Sequence, residues 1–324
     1  ISKLLKPDPL FGKEFLIIIQ IEHLTKDYGY RRGVFDVSFN VEKGEIYGFL
    51  GPNGAGKTTV IRHIMGFSRP QKGHTFVNGL NSWENASEIQ KNLGYLPGEI
   101  AMPESLTGMQ FINMMAELRG MKDMTHTNYL IEKFEFDPSG KLNRMPLGMK
   151  RKLAIVVAFM NDPDVLVLDE PTSGLDPIMQ NIFIELIKEE REKGKTILMA
   201  SHIFHEVDAT CDKVSIIKDG RLISTFDPDE LRSNTSKTFK FEFNIKEQFE
   251  RFCRDVKSQQ TLEVKALKRD KCQAVISVDD ADINSFINFI ADYDLKFFSE
   301  IKFTLEDYFM KFYGRSTNDE AGAE

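Results

Sequence analysis

The sequence predicts an α/β protein with a mostly parallel β-sheet, followed by a small α+β unit of ferredoxin-like order. Three apolar runs without alternation lie in the middle of the chain and are separated by helical patterns, as is typical of parallel strands covered on both faces. Nearer the start, a glycine-rich loop stands between an apolar strand and a helical pattern. Near the end, strand and helix patterns follow one another in the order βαββαβ.

The glycine-rich loop has the form Gly-x-x-x-x-Gly-Lys-Thr, which is the pattern of a phosphate-binding loop and predicts a P-loop NTPase (RecA-like) core. Glycines allow backbone N–H groups to turn inward around an anion, and the positive end of the following helix points at the same place. Lys57 can reach the β- and γ-phosphates of a nucleotide, and the Thr58 hydroxyl can bind Mg²⁺. The expected nucleotide-binding residues of this loop are Gly51, Pro52, Asn53, Gly54, Ala55, Gly56, Lys57, Thr58 and Thr59.

Short strand patterns on both sides of this loop predict a small antiparallel subdomain that flanks it. Residues 15–24 are mainly apolar, residues 34–41 alternate apolar and polar side chains, and Asn78-Gly79 is a frequent hairpin turn. A helical subdomain is expected at about residues 99–160, and its first helix carries an apolar stripe that favours a core position. The stripe consists of Phe111, Met114, Met115 and Leu118.

The apolar runs that predict the parallel sheet lie at residues 165–168, 196–199 and 214–217, and a hairpin is expected at 218–221. Asp227-Pro228 then marks a domain boundary. The predicted organisation is a leader segment at 1–14, a core domain at 15–226, an accessory domain at 227–314 and a disordered tail at 315–324.

The charge and composition of the chain argue against several classes of function. Lys and Arg number 42 against 49 Asp and Glu, and the net charge of −7 gives no indication of a nucleic-acid-binding surface. The longest apolar run near the start, residues 15–19, is far shorter than the roughly 20 residues that cross a bilayer. Scattered cysteines without C-x-x-C spacing suit a reducing cytosol, so we expect a soluble, cytoplasmic chain.

Two acidic residues, Asp169 and Glu170, follow the apolar run at residues 165–168 and are therefore expected at the carboxyl edge where open α/β sheets bind nucleotide. Asp169 is placed to hold Mg²⁺, directly or through water. Glu170 is the candidate general base for an attacking water. A pair of solvated acids that merely ends the strand is the alternative.

The run Asp-Glu-Pro-Thr-Ser-Gly-Leu-Asp at residues 169–176 resembles the Walker B and D-loop segment of ABC ATPases. The Ser-His pair that ends at His202 is similar to the switch histidine of that family, and Tyr28 is similar to the aromatic residue that stacks on adenine. The resemblance extends over residues 15–225 and implies that the chain binds ATP and Mg²⁺. It further implies that Glu170 activates water and that His202 contacts the γ-phosphate. A helix-capping histidine and a tyrosine packed on the sheet are the respective alternatives.

Two positions depart from the pattern of the family. After Tyr-x-Pro the family usually has Gln, whereas this chain has Gly98 and then Glu99, so Glu99 either replaces the glutamine or faces solvent. The signature loop, usually Leu-Ser-Gly-Gly-Gln, reads Met-Pro-Leu-Gly-Met at residues 145–149 and lacks the serine that donates to the γ-phosphate across a dimer. Leu147 and Gly148 are its residues expected at the nucleotide. One hydrogen bond to a charged group contributes about 1.5–3 kcal/mol, so we expect reduced rather than abolished activity.

The resemblance implies an ATP-hydrolysing subunit that drives a separate integral-membrane permease at the inner face of the cell membrane, through a permease helix that contacts the helical subdomain. Since one chain has one phosphate loop and one signature loop, two chains are expected to enclose two ATP, as a homodimer or with a second ABC ATPase. Residues 304–309 are similar to the ends of ATPases that serve ABC-2 type exporters of drugs, peptides or polysaccharides. A nucleotide-gated regulatory module with weak hydrolysis is the alternative.

Overall fold

The computed structural model describes residues 16–232, 236–259, 261–301 and 304–313. The chain divides into two compact units, Ile1–Asp227 and Pro228–Glu324. The leader segment predicted at 1–14 and the tail predicted at 315–324 lie outside the described residues. Within the described residues, no helix has both the length and the apolar composition that a membrane span requires.

The first unit contains two sheets and a group of helices. Its strands are β1 (Ile17–Asp27), β2 (Gly33–Glu42), β3 (Ile46–Leu50), β4 (Lys72–Val77), β5 (Leu80–Asn81), β6 (Leu93–Leu96), β7 (Val165–Asp169), β8 (Thr196–Ser201), β9 (Lys213–Lys218) and β10 (Arg221–Phe226). Its helices are α1 (Lys57–Ile64), α2 (Ala86–Lys91), α3 (Gly108–Leu118), α4 (Thr125–Lys133), α5 (Leu147–Phe159), α6 (Pro177–Glu192) and α7 (Phe204–Thr210).

The larger sheet has the strand order β10-β9-β3-β8-β7-β6, and all of its pairs are parallel except the antiparallel edge pair β10–β9. Every residue of β3, β7 and β8 is buried. This burial explains why these segments are apolar without alternation, because both faces of a covered parallel sheet are dry. The predicted α/β core is confirmed.

The smaller sheet is antiparallel, with the order β2-β1-β4-β5. The predicted hairpin joins β4 to β5, where Val77 pairs with Leu80 and the turn residues Asn78 and Gly79 have φ of 50° and 75°. Two consecutive positive φ values define the type I′ turn that suits the twist of a hairpin. The second predicted hairpin joins β9 to β10 in the same way.

The helical part of this unit corrects one expectation. Helix α3 packs against α5 and buries Gly108, Ile112 and Ala116, whereas Phe111 is only half-buried and Leu118 is 74% exposed. The stripe that the spacing placed in the core therefore lies beside the buried face of the helix and is only partly covered. Both faces carry apolar residues, so spacing alone did not distinguish them. Strand β6 was not expected either, since Leu93–Leu96 is short and its pairing with β7 is not visible locally.

The second unit follows the predicted βαββαβ order. Its elements are α8 (Pro228–Arg232), β11 (Ser236–Phe243), α9 (Lys246–Asp255), β12 (Leu262–Lys268), β13 (Gln273–Asp279), α10 (Ile283–Ala291), β14 (Leu295–Ile301) and α11 (Leu305–Tyr313). The strands form one antiparallel sheet in the order β12-β13-β11-β14. Its core is aromatic, with Phe241, Phe249, Phe252 and Phe286 fully buried.

Candidate nucleotide-binding site

The carboxyl ends of three neighbouring strands bring the predicted site residues together. Leu50 at the end of β3 pairs with Ser201 at the end of β8, and Asp169 at the end of β7 pairs with Ala200. The phosphate loop, Glu170 and His202 each follow one of these ends. The register of the parallel sheet thus places them at one edge, where open α/β sheets bind ligands.

A cavity of about 340 Å³ opens at this edge. Its lining residues are Tyr28, Arg32, Gly33, Pro52, Asn53, Gly54, Gly56, Lys57, Thr58, Thr59 and Glu170. Two residues of the predicted loop, Gly51 and Ala55, do not line the cavity. The Gly51 carbonyl accepts a hydrogen bond from Lys57. Ala55 is buried, and its carbonyl accepts a hydrogen bond from the Gly220 N–H. The cavity therefore contains most of the predicted loop and two residues, Arg32 and Gly33, that the sequence did not indicate.

Glycine is required at Gly56 for two reasons. Its φ is +112°, and an added Cβ atom would lie 2.7 Å from Val34 Cγ1 and 3.3 Å from the Gly33 carbonyl oxygen. The start of β2 therefore lies directly against the last glycine before Lys57. This contact explains how residues near Tyr28, far away in the sequence, form one wall of the phosphate cavity.

Lys57 is held at the centre of the loop. Its Nζ donates to the carbonyl oxygens of Gly51 at 2.6 Å and Pro52 at 3.2 Å, and it lies 2.9 Å from Glu170 Oε1. The Lys57 side chain is 5% exposed. An ammonium group that is fixed by two backbone carbonyls and belongs to a residue lining the cavity is a suitable binding group for phosphate.

Thr58 and Asp169 form the candidate metal site. Thr58 Oγ1 donates to Asp169 Oδ2 at 2.7 Å, and Asp169 is fully buried. Its other oxygen, Oδ1, is buried without a hydrogen-bond partner in the described part of the chain. Burial raises the pKa of Asp169, and the hydrogen bond from Thr58 acts in the opposite direction. A buried carboxylate oxygen without a donor, next to a hydroxyl, fits the hard oxygen ligands that Mg²⁺ prefers.

Glu170 is contacted from two sides. Besides Lys57 on Oε1, His202 Nδ1 lies 2.6 Å from Glu170 Oε2. Glu170 has φ of +49°, in the left-handed region, while its N–H still donates to the Ala200 carbonyl at 2.8 Å. Such backbone conformations cost about 1–3 kcal/mol and concentrate at functional sites. His202 is not a helix cap, because α7 begins at Phe204 after Ile203 and has no side-chain cap.

A buried carboxylate beneath this region was missed by the sequence analysis. Glu206 is 2% exposed and accepts hydrogen bonds from Thr172 Oγ1 at 2.5 Å and from Ser201 Oγ. Burial raises the pKa of Glu206. The group joins the loop after β7 to the end of β8, and so fixes the segments that carry Glu170 and His202. Glu206 lies in the first turn of α7, where the local sequence does not distinguish a buried acid from a solvated one.

Tyr28 and Arg32 lie in one short loop between β1 and β2. The Tyr28 N–H donates to the Arg32 carbonyl at 2.8 Å, and the Arg32 N–H donates to the Gly29 carbonyl at 3.0 Å. Both residues line the cavity, and Tyr28 is 53% exposed rather than packed on the sheet. Within the described residues, no hydrogen bond or ion pair of the Arg32 guanidinium is present.

Of the two departures from the family pattern, Gly98 lies beside the candidate metal site, whereas the signature loop lies away from the cavity. An added Cβ at Gly98 would lie 3.1 Å from Asp169 Oδ2, so the backbone there closely approaches the candidate metal site. Glu99 is exposed. Leu147 and Gly148 form the start of α5, and neither lines the cavity; Leu147 is 62% exposed. The signature residues of one chain are therefore not brought to its own phosphate loop.

Comparison with known proteins agrees with this arrangement. A family model described as ABC transporter matches residues 34–173. The bacitracin transport ATP-binding protein BcrA of Bacillus licheniformis is 34% identical over 233 residues, which are 70% of this chain and 75% of BcrA. The protein named "Probable multidrug ABC transporter ATP-binding protein YbhF" of Escherichia coli (strain K12) is 33% identical over 224 residues, 68% of this chain. This chain covers only 39% of the length of YbhF.

A solved structure supports the same conclusion at the level of the fold. The structure described as the ATP binding subunit of an ABC transporter superposes with a TM-score of 0.61 and 29% sequence identity. The match covers 66% of this chain and 92% of that chain.

Proposed function

This chain belongs to the family of ABC transporter ATP-binding proteins, and we propose from that premise that it binds and hydrolyses Mg-ATP to drive a separate membrane permease, of the export type. We assign the ATPase to residues 15–226 and an accessory role to residues 227–314. The observation that carries the proposal is the meeting of Lys57, Asp169 and Glu170 at one cavity, with His202 bonded to Glu170.

The residues of the cavity suit successive parts of the nucleotide. The exposed Tyr28 ring offers a stacking face for adenine, and the loop residues that line the cavity would surround the phosphates. Thr58 and Asp169 would hold Mg²⁺, which when bound neutralises charge that develops on the phosphates. Glu170 accepts the proton of the attacking water, and its contact with His202 aligns the carboxylate.

A second copy completes the site in this proposal. The signature residues Leu147 and Gly148 lie outside their own chain's cavity, at the amino end of α5, where N–H groups and the helix dipole attract an anion. Two chains placed head to tail would each present this end to the other's nucleotide. We propose a homodimer, with a heterodimer containing a second ABC ATPase as the other possible assembly.

An apolar groove of about 310 Å³ provides a docking site for the permease. The half-buried face of α3, with Phe111 and Met115, forms part of it, and Pro97 next to Gly98 forms another part. Methionine side chains adapt to apolar partner helices. A permease helix seated here would contact the loop beside the candidate metal site, and would hold the chain at the cytoplasmic face of the membrane.

Nucleotide binding is tested by Lys57→Ala, with Lys72→Ala as the control, since Lys72 is an exposed lysine on β4. We expect Lys57→Ala to lower Mg-ATP affinity at least about tenfold, because a charge-assisted contact is lost. Lys72→Ala should bind as the unaltered chain does. Unchanged affinity in Lys57→Ala would contradict the proposal.

Permease binding is tested by co-purification from detergent-solubilised membranes of the producing organism. Met115→Glu places a charge in the groove, whereas Leu118→Glu places one on the exposed surface of the same helix. We expect Met115→Glu to lose the membrane partner and Leu118→Glu to retain it. Retention by both variants would exclude this groove.

A nucleotide-gated module with weak hydrolysis is the second candidate, favoured by Gly98 and Pro146, which replace polar residues of the family pattern. Both candidates predict Mg-ATP binding. Steady-state phosphate release separates them, because only the first requires continuous turnover.

A further inference from the structure

One buried guanidinium joins the two loops that enclose the candidate metal site. Arg151 on α5 is 3% exposed. Its Nε donates to the Ser173 carbonyl at 3.0 Å, its Nη1 to the Pro97 carbonyl at 2.9 Å and its Nη2 to the Gly98 carbonyl at 2.7 Å. Pro97 and Gly98 follow β6, whereas Ser173 lies in the loop after β7. A single side chain therefore connects three structural elements.

Both loops lead directly to the carboxylates of the site. The backbone at Gly98 approaches Asp169 so closely that an added Cβ would lie 3.1 Å from Oδ2. Ser173 is three residues after Glu170, and its N–H donates to the Glu170 carbonyl at 3.2 Å. The three carbonyls bound by Arg151 thus belong to the backbone segments that position Asp169 and Glu170.

Arg151 lies on α5 close to the exposed start of that helix. The Lys150 N–H donates to the Pro146 carbonyl at 3.0 Å, and Arg151 lies one turn after Leu147. Gly148 also packs closely on the loop after β7, since an added Cβ would lie 3.0 Å from the Gly174 carbonyl oxygen. A displacement of this end of α5 would therefore move the Arg151 guanidinium and the carbonyls that it binds.

The chemistry of arginine suits this role. Burial lowers the pKa of Arg151, while Asp169 and Glu170 act in the opposite direction, and a guanidinium stays charged in proteins. Its donors form a planar fork that reaches several carbonyls at fixed angles. A lysine at the same place would keep the charge but concentrate it at one point, so it would not hold three carbonyls in one arrangement.

We propose that Arg151 is a positioning residue, through which the placement of α5 sets the positions of Asp169 and Glu170 for hydrolysis. The inference rests on the proposed function. In a head-to-tail dimer, contact of the partner with the start of α5 would pass through this guanidinium to both loops. Arg151 makes its hydrogen bonds to Ser173, Pro97 and Gly98 and none to the phosphate loop or to Tyr28, so we expect nucleotide binding not to depend on it.

The test compares Arg151→Lys and Arg151→Met with Lys152→Met. Lys152 is a matched control, because it is a cation on the same helix whose Nζ donates to a distant carbonyl, that of Phe134, at 2.8 Å. Mg-ATP affinity and kcat are measured for each purified chain. We expect both Arg151 variants to bind Mg-ATP within about twofold of the unaltered chain while kcat falls by about 10- to 100-fold, since small misplacements of catalytic groups have such effects. Lys152→Met should change neither quantity.

A double variant distinguishes positioning from general destabilisation. If Arg151 acts through Glu170, Arg151→Lys should lower kcat much less in the Glu170→Gln chain than in the unaltered chain. The reason is that the effects of residues that act as a unit are non-additive. An unchanged kcat in Arg151→Lys overturns this inference but leaves the proposed function standing. Equal losses of affinity, kcat and thermal stability also overturn it, because they show a structural role only. Failure of the unaltered chain to bind Mg-ATP would overturn the proposed function and this inference with it.

Discussion

Lys57 Nζ lies 2.9 Å from Glu170 Oε1, so the ammonium expected to bind phosphate is paired with the carboxylate expected to act as the base. Both side chains are largely buried, with 5% and 15% of their surface exposed. A γ-phosphate that binds Lys57 must compete with Glu170 for the same charge. Nucleotide binding and release of the base are thereby coupled through one contact.

This coupling predicts that Glu170→Gln binds ATP more tightly. Without the carboxylate charge, Glu170 no longer competes with the phosphates for Lys57, and the gain in affinity should be about three- to tenfold. Glu99→Gln is the control, since Glu99 is an exposed acid that follows Gly98. Isothermal titration with Mg-ATP measures both variants. Equal or weaker binding by Glu170→Gln would show that the ion pair does not oppose the nucleotide.

The second prediction concerns the stability of Asp169→Asn. Burial raises the pKa of Asp169 above its ordinary 3.8, so the folded chain favours the protonated acid. Ionisation of this group therefore destabilises the folded chain as pH rises above 3.8, and the full effect is reached above the raised pKa.

We expect Asp169→Asn to melt at a higher temperature than the unaltered chain at pH 7.5, while it loses Mg²⁺-dependent nucleotide binding. The difference in melting temperature should shrink as pH falls. Thermal unfolding from pH 8 down to pH 4, without Mg²⁺, checks this. A lower melting temperature at pH 7.5 would mean that attraction to Lys57 and Arg151 outweighs the cost of burial.

The third prediction assigns nucleotide binding to Arg32. Arg32 lines the cavity, whereas the neighbouring Arg31 does not, and both residues are exposed. Arg32→Gln should weaken ATP, ADP and AMP binding about three- to tenfold, because one charge-assisted contact to the anion is lost. Arg31→Gln removes the same charge from the same loop and should have no more than a twofold effect. Similar losses of nucleotide affinity in both variants would indicate that the positive charge of the loop acts through a long-range electrostatic field instead.

The fourth prediction concerns Gly98→Ala. The new methyl group would crowd the Asp169 carboxylate at 3.1 Å, and such overpacking costs about 1–3 kcal/mol. Gly140→Ala is the control, because its new methyl group would meet nothing closer than Met145 Cε at 4.0 Å. Urea unfolding should show destabilisation for Gly98→Ala only. If Gly98→Ala is as stable as the control, the loop after β6 adjusts freely.

Local patterns were sufficient for the parts of the fold that depend on neighbours in the sequence. The phosphate loop, the Asn78-Gly79 hairpin and the acid pair after β7 were each predicted from a few consecutive residues. Their convergence followed from the rule that parallel strands end at one edge.

Features that depend on packing between distant segments were not predictable in this way. In the sequence, Arg151 is one of several cations on α5. Nothing near it in the sequence predicts its hydrogen bonds to the carbonyls of Pro97 and Ser173. Arg32 lines the cavity beside Gly33, whose carbonyl packs against Gly56 although the two glycines are distant in the sequence. The buried face of α3 is chosen by contact with α5 rather than by its own spacing.

The central claim is that Glu170 activates water against an ATP held by the phosphate loop. Steady-state phosphate release from Mg-ATP by the unaltered chain and by Glu170→Gln, at nucleotide concentrations that saturate both, tests it most directly. The account predicts turnover in the unaltered chain and a loss of about 10²–10⁴-fold in the variant, as expected for removal of a general base. Equal rates of phosphate release in the two proteins would contradict it.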